Sequence, residues 1–139
     1  MEIERRNAML RLYSRTAGPE DVTVALGLTP SHSQVLHYDP EANATAPNGW
    51  FLSSEGHEEF ETFAQHIEWL LLQLIGKTGG LQQLRAAGWK SDVRLGGSSD
   101  GGVFFGLSTD AMSTLAGLGL PLTVMIFLGV YDHEDAAHT

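Results

Sequence analysis

The sequence predicts an α+β fold: a single mostly antiparallel sheet with helices packed on it, of the ferredoxin-like, split βαβ kind. Three observations lead there. Residues Ala8 to Ser14 set Leu10, Leu12 and Ser14 against Arg11, Tyr13 and Arg15, the alternation of a half-buried strand. Between His57 and Ile75 the apolar residues Phe60, Phe63, Ile67, Leu70, Leu71, Leu74 and Ile75 recur mainly at spacings of three and four, the mark of an amphipathic helix. Strand-like and helix-like stretches are also interleaved, with hairpins between them, in the order β-α-β-β-α-(α)-β-β-α-β.

Each element has local reasons. After the first strand, Gly18-Pro19-Glu20-Asp21 opens a short helix. Proline suits its first turn and the two acids suit the positive end of its dipole. Val22 and Leu26 share a face, and Gly27 is placed to stop it. Thr29 to Tyr38 reads as a weaker strand. Residues 39 to 49, with two prolines and a closing Asn48-Gly49, read as a loop, from which Trp50 to Ser53 leaves as a strand. Ser53 or Ser54 is positioned to cap the long helix, with Glu55, Glu58 and Glu59 at its start. Gly76 to Gly80 breaks that helix, and Leu81 to Ala87 adds a second piece ended by Gly88. Asp92 to Leu95 and Val103 to Leu107 read as two strands of a hairpin around Gly96-Gly97-Ser98-Ser99-Asp100-Gly101-Gly102. Ser108-Thr109-Asp110 opens a last helix bearing Met112, Leu115 and Leu118, with Gly119 as its stop. The apolar run within Leu122 to Tyr131 predicts a closing strand in the middle of the sheet, covered on both faces. Residues 1–7 and 132–139 read as flexible ends of a single domain spanning 1–139.

Composition excludes several classes. With 139 residues and 42% hydrophobic side chains, the chain has enough apolar material for one core. With no cysteine, it has no disulfide scaffold, thiol nucleophile or Cys-ligated metal. A net charge of −9 argues against nucleic acid or an anionic membrane as partner. The charged start leads into no apolar signal region, and no stretch is long enough to cross a bilayer, so the reading is a cytoplasmic protein.

Motifs that resemble chemistry lack its geometry. Gly76-Lys77-Thr78 has the end of a phosphate loop without its beginning: Leu71 stands where a glycine is required, and a helix precedes it. His133 and His138 are five apart, whereas a zinc-protease helix needs four. His57 and His66 lie on opposite sides of a helix, and His66 beside Ile67 reads as a boundary or solvent-facing residue. No serine sits in a nucleophile elbow. The expectation is no catalytic residue, no metal and no cofactor. Trp50 and Trp69 read as core or half-core residues.

Charge distribution is more informative. Between Arg15 and Lys77 stand Glu20, Asp21, Asp39, Glu41, Glu55, Glu58, Glu59, Glu61 and Glu68, and no Lys or Arg. A solvated acidic face is one reading; a docking surface for a basic protein is the other.

Several motifs occur in an order that resembles the DUF4279 family of small bacterial proteins. They are Leu10-Arg11-Leu12-Tyr13-Ser14, then Gly18-Pro19-Glu20-Asp21-Val22 with Leu26-Gly27-Leu28-Thr29-Pro30. Gly49-Trp50-Phe51-Leu52-Ser53-Ser54 and His66-Ile67-Glu68-Trp69-Leu70-Leu71 follow. Gly106-Leu107-Ser108, Leu115-Ala116-Gly117-Leu118-Gly119-Leu120 and the final strand to Tyr131 complete the series. The loop from Asp39 to Asn48 departs from the family's pattern. The family carries no established catalytic residues, so the resemblance implies no site. It does resemble families found among immunity proteins of bacterial toxin systems, which are small, acidic and non-enzymatic. The expected function is therefore binding of a basic protein, a toxin, through Asp39, Glu41, Glu55, Glu58, Glu59 and Glu61. The alternatives are a homodimeric structural domain and an enzyme or small-ligand binder using a cleft near Ser53, His57 and the glycine-rich hairpin.

Overall fold

The computed structural model describes residues 3–99 and 101–128, with side chains described from Arg5 onward. The elements are β1 (Ile3–Ser14), α1 (Glu20–Leu26), β2 (His32–Gln34), β3 (His37–Asp39), β4 (Ala44–Ala46), β5 (Asn48–Ser53), α2 (Phe63–Gln73), α3 (Thr78–Ala86), β6 (Lys90–Ser99), α4 (Thr109–Leu118) and β7 (Leu122–Leu128). The architecture is α+β, as predicted.

The twelve-residue β1 runs through the middle of a five-stranded sheet of order β2-β5-β1-β6-β7. It pairs antiparallel with both β5 and β6, so those two run parallel on its flanks, joined by α2 and α3. β6 and β7 form the sheet's parallel pair, connected by α4. A separate two-stranded hairpin consists of β3 and β4.

The predicted alternation of β1 sets the layering. Ala8, Leu10, Leu12 and Ser14 are buried on one face, while Met9, Arg11 and Tyr13 are half-buried on the other. Against the first face pack Trp50 and Leu52 from β5, Val93 and Leu95 from β6, and Phe63, Ile67, Leu70 and Leu74 from the α2 region. Trp50 is fully buried, and its indole N–H donates to the Thr23 hydroxyl at 3.0 Å, which ties α1 to the sheet. On the other face Arg11 makes a bidentate bond to Asp92 (2.7 and 2.5 Å), and Thr123 donates to the same carboxylate at 2.7 Å, linking β1, β6 and β7. Burial pushes the Asp92 carboxyl up, but the Arg11 and Thr123 bonds outweigh it and hold it below the usual range.

Two of the helix stops read from glycine are left-handed caps. Gly27 and Gly119 take left-handed conformations at the ends of α1 and α4. Ser108 caps α4 by accepting the Ala111 N–H at 3.0 Å.

Other expectations are corrected. The long helix begins at Phe63, not near His57, because Thr62 and Gln65 form a capping box, with Thr62 eight or nine residues beyond the serines proposed as caps. The weak strand at 29–38 is two short strands: the Leu36 N–H donates to Asn48 Oδ1 at 2.7 Å, and the chain leaves β5 to pair with β4. That pairing turns most of the expected 39–49 loop into a hairpin. The glycine-rich run at 96–102 is no hairpin turn; Gly96 to Ser99 continue β6, because β1 supplies ladder partners as far as Ile3 opposite Ser99. Residues 103–107 form no strand, although Val103, Phe105 and Leu107 still pack on the core, with Phe105 5.1 Å from Phe63. β7 lies at the sheet's edge, not in its middle. Tyr131, the paired histidines His133 and His138, and Asp100 lie outside the described residues.

The predicted break between the two helices is present, but the second helix starts at Thr78, not Leu81, and so includes Gly79 and Gly80, which were expected to lie in the break. Gly80 is there because α3 crosses α1 closely: a Cβ at this position would stand 2.6 Å from the Ala25 carbonyl oxygen. Gly80→Ala would gain up to about 1 kcal/mol of helix propensity, but the clash is with backbone and outweighs it by roughly 1–2 kcal/mol. The expected outcome is a lower Tm by calorimetry; a higher Tm would mean that α1 and α3 are not packed this closely.

Candidate functional site

The turn between β5 and α2, residues 54–62, gathers four of the six predicted contact acids. Glu55, Glu58, Glu59 and Glu61 are all exposed on it. Its path is held by short-range hydrogen bonds. The His57 N–H donates to the Ser54 carbonyl (3.3 Å), the Phe60 N–H to the His57 carbonyl (3.1 Å), and the Glu61 N–H to Gln65 Oε1 (2.6 Å). The His57 ring stacks on Phe60, with centroids 4.8 Å apart, and leans on Trp69 at 5.0 Å. Its Nδ1 lies 3.2 Å from Glu59 Oε2. Glu59 is held below the usual carboxylate range, first by a backbone hydrogen bond and then by His57. Among the described residues none of these four acids pairs with Lys or Arg.

The turn stands on a buried polar post that the sequence reading missed. Ser54 is 0% exposed and His66 is 2% exposed. Ser54 Oγ accepts the Ala8 N–H at 2.9 Å and lies 2.6 Å from His66 Nδ1. The arrangement that uses the hydroxyl's own proton has Ser54 donating to Nδ1, which leaves the His66 proton on Nε2. Burial lowers the basicity of His66, and the nearby charges of Arg6 and His57 lower it further. So β1, the end of β5 and α2 meet at one hydroxyl. The expectation of a boundary or solvent-facing His66 is thus corrected. It falls three residues after Phe63 and four before Leu70, on the apolar stripe itself, and that spacing was the available signal. Its partner Ser54 was read as a helix cap, whereas it is a core residue.

Ser–His proximity invites a nucleophile reading. Both groups are shut away from solvent, and the hydroxyl is occupied by two bonds, so the arrangement holds structure together. Ser98 and Ser99 sit within β6.

The other two predicted acids stand elsewhere. Asp39 and Glu41 belong to the β3–β4 hairpin, which leaves β5 at its Asn48 end, while the acidic turn leaves it at Ser53. The six residues of β5 put those ends roughly 17 Å apart along the strand. The Asp39 carboxylate accepts the N–H groups of Glu41 (3.0 Å) and Ala42 (3.4 Å), so it shapes its own turn. Glu41 is exposed. Among the described residues no three His, Asp or Glu side chains are grouped to hold a metal ion, and no helix is long and apolar enough to cross a membrane.

A family model, described as a domain of unknown function (DUF4279), matches residues 3–128, from the first residue of β1 to the last of β7. The chain belongs to the DUF4279 family. No curated protein and no solved structure matches it. In this DUF4279 chain the acidic turn and its buried post lie within the matched region, as do both ends of the sheet.

Proposed function

We propose that this DUF4279 protein is a non-enzymatic, cytoplasmic binding domain of the immunity type, which neutralises a basic protein toxin by docking through the 54–62 turn. The observation that carries this reading is the presence of four exposed carboxylates within seven residues, Glu55 to Glu61, on a turn anchored to a buried hydrogen-bonded post. A rigid display of one sign of charge loses little entropy on docking and speeds encounter with a cationic surface. Glu41, on the far hairpin, is a peripheral contributor, and Asp39 acts through its turn. The β5–α2–α3–β6 crossover around β1 supports kinship with the ferredoxin-like, split βαβ arrangement.

The test is capture of a stoichiometric partner from the native host at low and high salt. The triple variant Glu55→Lys, Glu58→Lys, Glu61→Lys is compared with an equal charge change placed elsewhere, Glu20→Lys, Asp21→Lys, Asp110→Lys. The association rate is expected to fall by on the order of tenfold to a hundredfold in the first variant and far less in the second. Equal losses would reduce the effect to net charge, and no loss in the first would remove the turn from the interface.

A further inference from the structure

We infer that β7 is a self-pairing edge: two copies of the chain join antiparallel along Leu122–Leu128 about a two-fold axis, turning two five-stranded sheets into one continuous sheet. This is independent of the acidic turn.

Among the described residues the strand pairs with β6 on one side and is the last strand of the sheet on the other. Its outward N–H and C=O groups are therefore a template for another strand. Edges are normally blunted by Lys, Pro, a bulge or extreme shortness. Leu-Thr-Val-Met-Ile-Phe-Leu is seven residues long, carries no charge or proline, and runs in unbroken register against β6. Four of its large side chains are exposed: Val124 by 46%, Met125 by 43%, Phe127 by 66% and Leu128 by 52%. They lie on both faces. Val124 and Leu128 share the face of Leu95, and Met125 and Phe127 share that of Arg94.

Three features select a second copy as the occupant. The opposite edge, β2, is three residues long, so head-to-tail addition would match fewer than half of the positions on β7. Self-pairing centred on Met125 matches all seven, with Leu122 opposite Leu128, Thr123 opposite Phe127 and Val124 opposite Ile126. Electrostatics agree. Two chains of net charge −9 repel, yet the charges on β6 and β7 are Lys90, Arg94 and an Asp92 already bonded to Arg11. The copies therefore meet without opposing free carboxylates on these strands. Finally, the exposed apolar side chains and strand backbone of two copies would bury roughly 1,000 Å² in total, where specific interfaces begin.

The absence of cysteine makes the geometry directly testable. Light scattering should give twice 15.1 kDa for the full chain. Met125→Cys should cross-link with itself under mild oxidation or with a short bismaleimide, because residue 125 faces its symmetry mate. Val24→Cys, exposed on α1, should not. Met125→Lys sets two like charges opposite each other and should give a monomer with unchanged far-UV circular dichroism. A monomeric wild type at high concentration, a Met125→Cys variant that stays uncross-linked, or a Met125→Lys variant that still dimerises would overturn the assignment. Should Met125→Lys fail to fold, the cross-linking pair decides by itself.

Discussion

Ser54→Ala is expected to cost about 3 kcal/mol of folding stability, since it orphans two buried hydrogen-bonding groups at roughly 1–3 kcal/mol each. Those groups are the Ala8 N–H and His66 Nδ1. For a chain of this length the loss corresponds to a fall in Tm on the order of 10 °C. The volume removed is one hydroxyl, so cavity formation contributes little beside the unmet bonds. Ser53→Ala is the control, because its hydroxyl accepts a single bond from the exposed Glu55 N–H and its residue is half-buried. Denaturant titration of both variants decides the matter: equal losses would mean that the post contributes nothing special. Loosening should also spread outward. Hydrogen exchange at residues 55–60 is expected to speed up in Ser54→Ala, because the turn that displays the acids begins at this hydroxyl.

Acidification from pH 7 to 5 is expected to lower the stability of the wild-type chain, and His66→Asn should flatten that slope. The fold favours the neutral ring. Burial disfavours the imidazolium first, Arg6 on β1 and His57 on the turn repel it, and Glu59 only partly compensates. A base whose folded pKa is depressed leaves the unfolded chain binding more protons as pH falls. The contribution is full above about 6.5, the ordinary histidine value, and is lost as pH drops below it toward the lowered folded value. Protonation would also give Nδ1 a proton of its own to donate and displace the Ser54 O–H bond. Asp92 runs oppositely and elsewhere: held below its ordinary 3.8, it loses its contribution only at more acid pH. His66→Asn keeps an acceptor near the position of Nδ1 without a group that titrates in this range. Calorimetry across the range checks the pair, and an unchanged slope in the variant would place the titrating group elsewhere.

Local reasoning reached those features whose causes are local. Leu10, Leu12 and Ser14 marked the inward face of β1 by alternation, and that face is the buried one. Gly27, Ser108 and Gly119 marked helix ends because caps are satisfied by neighbours within four residues. The candidate site was legible in part. Glu55, Glu58, Glu59 and Glu61 are adjacent in sequence and remain so in space, whereas Asp39 and Glu41 leave the other end of β5. His66 was misplaced because a titratable side chain next to the apolar Ile67 was read as the edge of the helix's apolar face. Its register with Phe63 and Leu70 was the stronger signal.

By itself the sequence determined the α+β class, the inward face of β1, three helix ends and membership of the DUF4279 family. Each rests on short-range periodicity, capping chemistry or the order of motifs. Tertiary structure alone decided that Gly96 to Ser99 form a strand, that β7 lies at an edge, and that Ser54 and His66 meet in the core. A ladder partner, a place in the sheet and a buried hydrogen bond are all supplied by residues distant in the chain. Ile3 and Glu4 make strand residues of Ser98 and Ser99, the order β2-β5-β1-β6-β7 leaves an apolar strand uncovered, and the Ala8 N–H satisfies a hydroxyl 46 residues away. Such non-local pairing outweighs local propensity because each buried polar group left without its partner costs more than an unfavourable residue in a strand.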